Sequence, residues 1–181
     1  MIDQHFDFVR RVFGPGLMVA PLDLVAPLKI PERSKRYLLT VGLPTHDVDP
    51  GLVFNTVARL PTLRELYPDP RYQLHESWGN TRFLGHRDDV GVYFNEQDGG
   101  TVWQIELSGG SATFLNSSVE QLGYFAAAVN EPVPGLDRTS PDQCRQALAE
   151  LREVLRHADP DAFAEDDNFW PLVLEDAYFY L

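Results

Sequence analysis

The sequence predicts an α+β fold: one domain over residues 1–181 with a central, mainly antiparallel sheet containing a meander, flanked by helices from both ends of the chain. Three observations carry this expectation. β-Prone runs separated by Gly-rich turns follow one another through the middle of the chain, the order of consecutive antiparallel strands. Apolar residues at helical spacing fall on the two flanks. Helices at both ends of such a sheet argue against a doubly wound parallel arrangement. A compact chain of this length buries roughly 70% of its unfolded surface, so no staple is required. The single cysteine, Cys144, excludes a disulfide framework and any multi-Cys metal site.

The elements follow in order. Ile2, Phe6, Val9, Val12 and Phe13 mark a first helix, stopped by Gly14-Pro15-Gly16. From Leu17 to Ile30 repeated prolines exclude a long helix. Pro31 at a first helical position, Glu32 beside it and Gly42 at the left-handed end frame a short helix, with Pro44 just beyond. Leu52–Phe54, Thr81–Leu84, Val90–Phe94 and Thr101–Leu107 read as strands. Trp103, Ile105 and Leu107 alternate with Gln104 and Glu106, the pattern of a half-buried strand. Asp98-Gly99-Gly100 and Ser108-Gly109-Gly110-Ser111 read as the hairpin turns of a three-stranded meander ending at Ala112–Leu115.

Two helices come next. Ser117 and Glu120 have capping-box spacing ahead of an apolar face at Val119, Leu122, Phe125, Ala126 and Val129. Ser140-Pro141-Asp142-Gln143 offers a cap, a first-position proline and a second capping box. Cys144, Leu148, Leu151, Leu155 and Ala158 then form a narrow apolar stripe, closed by Asp159-Pro160. Residues from Phe169 to Leu181 pack a last helix onto the body.

Charge sets the class of partner. The net charge is −12, with a net +2 over residues 1–39 and −14 over residues 40–181. Beyond Arg156 there are seven acids and no Lys or Arg. Such a field disfavours nucleic acid, which is bound through Lys and Arg, and favours basic partners. The same charge also serves plain solubility. No apolar stretch reaches transmembrane length, and the N-terminus lacks the basic-then-apolar order of a signal peptide, so a soluble cytoplasmic protein is expected.

Catalytic patterns are missing. His5, His46, His75, His86 and His157 show no metal-ligand spacing, and the glycine pairs lack the Lys-Ser/Thr of a phosphate loop. No Gly-x-Ser-x-Gly elbow surrounds Asn116-Ser117-Ser118, whose serines suit helix capping. Cys144, on an apolar stripe, reads as a small core hydrophobe. The expectation is no enzyme, no cofactor, no metal and no catalytic residue. A small-molecule hydrolase would need the dispersed histidines to be gathered into one site.

Three segments together resemble the SUKH superfamily, and most closely its fourth bacterial immunity subfamily. They are Tyr37-Leu38-Leu39-Thr40-Val41-Gly42-Leu43-Pro44; Leu84-Gly85-His86 through the meander to Phe114-Leu115-Asn116-Ser117-Ser118-Val119-Glu120-Gln121-Leu122; and Asp159-Pro160 followed by Phe169-Trp170 and an amphipathic tail. The stretch from Leu17 to Pro31 aligns with no motif. The resemblance implies a non-catalytic protein that binds and neutralises a cognate toxin, a nuclease or deaminase of a bacterial polymorphic toxin system. It carries over no catalytic residue. Candidate contacts with a basic toxin are Asp88, Asp89, Glu165, Asp166 and Asp167. The alternative is a regulatory or scaffold protein binding a cellular partner.

Overall fold

A computed structural model describes residues 3–46, 48–54, 57–69, 78–107, 111–137 and 139–179. The first helix, α1 (Gln4–Phe13), buries Phe6, Val9 and Phe13, and Gly14 ends it. A two-residue strand β1 (Leu17–Met18) and a single helical turn α2 (Leu22–Val25) occupy the proline-rich stretch. Next come α3 (Glu32–Thr40) and β2 (Leu43–Pro44), which pairs antiparallel with β1. Pro31 occupies the N-cap of α3, one position before the expected site, with extended ψ of 145°.

Gly42 is required here for two separate reasons. Its φ is +77°, and its N–H donates to the Tyr37 carbonyl at 2.9 Å, closing α3. A Cβ on Gly42 would also sit 1.9 Å from the Met18 carbonyl oxygen. The close approach of β1 to the end of α3 therefore admits no side chain at this position.

The main sheet has five strands, one on each of the five expected runs, the last three forming the expected meander: β3 (Leu52–Val53), β4 (Thr81–Arg87), β5 (Val90–Asn95), β6 (Thr101–Glu106) and β7 (Ser111–Asn116). They lie in sequence order and every neighbouring pair is antiparallel. Between β3 and β4 sits the helical turn α4 (Leu63–Leu66), with a complete capping box from Thr62 and Glu65 that the sequence reading passed over. Gly99 and Gly100 take positive φ between β5 and β6, as expected. The expected turn at Ser108-Gly109-Gly110 lies outside the described residues.

The chain then forms α5 (Val119–Asn130), α6 (Pro141–Ala158) and α7 (Phe169–Phe179). The arrangement is α+β, as predicted. Two capping details differ. Ser118, rather than Ser117, caps α5 by accepting from the Gln121 N–H, and Glu120 is buried instead of reaching back. Ser140 does cap α6, but the Gln143 side chain accepts from the Asp137 N–H, so the second box is half made.

Both faces of the sheet are covered, unequally. Leu84, Val92, Phe94, Val102 and Leu115 join Phe6, Tyr37, Leu122, Phe125 and Trp170 in the main core. The opposite face carries a smaller cluster of Leu63, Tyr93 and Ile105, with Trp78, Phe83 and Trp103 packed against it. The alternation in β6 is real, yet Val102 faces the main core and Trp103 with Ile105 faces the smaller one. A register shift between Val102 and Trp103 sets Trp103 opposite Phe114 on the outer face of β6 and β7.

Candidate functional site

Two structures are built from the segments around Ser117 and Asp161, one buried and one open. The buried one centres on Asp159, the residue that ends α6 and is 2% exposed. Its carboxylate accepts from Asn116 Nδ2 at 3.1 Å, from the Ser117 N–H at 2.9 Å and from Ser117 Oγ at 2.6 Å. Asn116 Oδ1 in turn accepts from Trp170 Nε1 at 3.0 Å. Gln121 Nε2 adds a bond to the Ala158 carbonyl at 2.8 Å. These bonds tie the end of β7, the end of α6 and the start of α7 into one latch. Ser117 is thus a bonding partner of Asp159, which explains why the cap falls to its neighbour.

The open structure lies over the outer face of β6 and β7. A groove of about 540 Å³ is floored by Trp103, Ala112 and Phe114 and walled by Asp161, Glu165, Asp167 and Asn168. The wall follows a 3₁₀ turn, Pro160–Phe163, and its outermost acids are exposed. Among the described residues no Lys or Arg lines the groove.

Among the expected contact residues, Glu165 and Asp167 line this groove. Asp166, their neighbour, instead lines a second surface groove with Arg145, Arg152 and Glu175. Asp88 and Asp89 lie apart, in the exposed turn between β4 and β5, where Asp88 has a φ of +51°. That turn closes the end of β5 that pairs with the Ile105 end of β6, whereas the Asp159 latch grips the Asn116 end of β7, which pairs with Val102. One acidic loop and one acidic turn therefore occupy opposite ends of the sheet.

The SUKH-4 immunity protein family matches residues 5–176 of the 181. The chain belongs to that family. No curated protein and no solved structure matches it. Family membership assigns an immunity role, and the segments that carried the resemblance turn out to be scaffold: Gly42 closes α3, Asn116 and Ser117 hold the latch, and Trp170 is fully buried beneath it.

Other titratable groups are explained by packing. Cys144 is buried, beside a cavity of about 570 Å³ whose walls combine Val129, Leu148, Leu151 and Val173 with the charged Asp49, Arg87, Glu131 and Asp176. Burial, with the Glu120 carboxylate nearby, pushes the Tyr37 hydroxyl above its usual range. Burial also raises Tyr93, with Tyr67 adding to it. Among the described residues no group of three or more His, Cys, Asp or Glu side chains is placed to hold a metal ion. No described helix is long and apolar enough to cross a membrane. His75 lies outside the described residues.

The sequence reading missed Trp103 and Phe114 as site residues. Strand alternation placed Trp103 on a face, but the β6–β7 register that sets it beside Phe114 depends on a bulge. A signal was available in retrospect: two aromatic residues on adjacent strands of one hairpin, followed by an acidic loop.

Proposed function

We propose that this immunity protein acts in the cytoplasm by binding a cognate protein toxin of a bacterial polymorphic toxin system and blocking its active site. The toxin class that fits is a nuclease or nucleic-acid deaminase. Such an enzyme grips phosphates with Lys and Arg, so the surface complementary to its substrate face is acidic. The observation that carries the reading is the exposed acidic wall at Asp161, Glu165 and Asp167, with no Lys or Arg beside it among the described lining residues, in a member of an immunity family. Asp166 on the adjoining surface and the Asp88-Asp89 turn at the opposite end of the sheet add to the negative field. Charge of this kind speeds encounter and selects the partner more than it deepens affinity.

Binding of the toxin domain encoded beside this chain, measured at low and high salt together with its residual activity, tests the reading. Tight binding that weakens with salt and silences the toxin is the expected result. Binding to a cellular protein with no effect on any toxin would place the chain among regulatory or scaffold proteins.

A further inference from the structure

We propose that the groove between the outer face of β6–β7 and residues 161–168 is the toxin-docking surface, and that it seats an arginine side chain from a basic segment of the toxin; this rests on the immunity reading above. The two floor rings, Trp103 and Phe114, belong to a row of edge-to-face aromatic contacts. Trp103 meets Phe114 at 5.1 Å and 80°, and Trp78 meets Trp103 at 5.5 Å and 70°. The Trp103 indole N–H donates to Thr101 Oγ1 at 3.0 Å, and the Thr101 hydroxyl donates to Asp98 Oδ2 at 3.1 Å. The ring is thus oriented, with its polar atom already satisfied, so little ordering remains to be done on binding.

The wall supplies acceptors. Glu165 and Asp167 are exposed, and among the described residues their side chains make no hydrogen bond or ion pair. Asn168 is 9% exposed and lines the groove; its Nδ2 donates to the Asp161 carbonyl, which leaves Oδ1 without a partner among the described residues. Aromatic rings below and unpaired oxygens beside them, with no cation in the lining among the described residues, match one side chain best. A guanidinium stacks on aromatic faces while directing five N–H donors sideways. An ammonium makes fewer such bonds, and an anion is repelled.

Three tryptophans make the test internal, since Trp170 is buried in the core and reports only on the fold. Indole N–H resonances are followed while acetylated, amidated tri-arginine is added, and then while the inactivated toxin domain is added. The expected result is a shift at Trp103, none at Trp170, and loss of the peptide response in Glu165→Gln/Asp167→Asn. Against the toxin, Trp103→Ala weakens binding at least ~30-fold, the size of a hot-spot truncation. The double charge variant slows association about tenfold at low salt and converges on the parent at high salt. Should Trp103→Ala unfold the protein, the double variant and the indole shift carry the test alone. Wild-type toxin affinity in the double variant, with Trp103 unmoved, would overturn the groove while leaving the immunity reading standing. A parent protein that binds no toxin would overturn both.

Discussion

The latch around Asp159 and the groove beside it are made from the same stretches of chain and have opposite chemistry. In the latch the Asp159 carboxylate and the Asn116 amide are spent: Asp159 accepts three bonds, and Asn116 passes the network on to Trp170. Eight residues further on, Asp167 is exposed and bonded to nothing among the described residues. A carboxylate that is buried and saturated holds the fold, because removing it strands its donors. A carboxylate that is exposed and unpaired adds little to stability and keeps its field available to a partner. The motif residues of the family fall on the first kind, and partner choice is expected to rest on the second.

That contrast can be broken most decisively at Trp170, which is fully buried and rings against Phe125 and Phe169. Trp170→Ala is expected to cost ~3–5 kcal/mol in a denaturant-unfolding measurement, through lost burial and the cavity left behind. Asp159→Ala follows at about 3 kcal/mol, since it leaves buried donors on Asn116 and Ser117 without an acceptor. Ser117→Ala removes one donor and keeps the rest of the latch, for a loss of about 1 kcal/mol. The groove variant Glu165→Gln/Asp167→Asn should change stability by no more than ~0.5 kcal/mol in the same measurement. If it cost as much as Asp159→Ala, the two regions would not be separable.

The smallest effect concerns a third region. His5 stacks on Tyr124 at 4.2 Å, and its Nδ1 is buried without a partner. Burial lowers its pKa below the usual 6.5; the Arg33 guanidinium adds to this, and Asp3 opposes it. The folded state therefore disfavours the charged ring. Its contribution is present above the unfolded value and shrinks as pH falls through 6.5, where the unfolded chain takes up the proton first. Thermal unfolding between neutral and mildly acidic pH should show this decline, and His5→Phe should flatten it.

Much of the scaffold was legible because it rests on local chemistry. Gly14 and Gly42 ended helices, the Gly99-Gly100 turn joined strands, and Ser140 capped α6 where the sequence placed it. What failed depends on distant partners. Ser117 and Ser118 both satisfy a capping pattern, and only Asp159, more than forty positions away, decides between them. The two-residue strands β1 and β2 carry no periodicity of their own and exist through pairing with each other across α2 and α3. The candidate site was half visible. Its acids stand out as a run in the sequence, but which of them share a groove, and with which aromatic rings, follows from the β6–β7 register and the course of the loop after α6. Asp166 shows the limit, since it sits between two groove residues and faces a different surface.

Neutralisation by occlusion makes one quantity decisive: the amount of this protein needed to silence a fixed amount of toxin. Titration of toxin activity should reach zero at equimolar protein, with an end point that does not move as incubation lengthens. Complete silencing by a small fraction of an equivalent, deepening with time, would mean that the protein turns over its toxin, and would contradict immunity by binding alone.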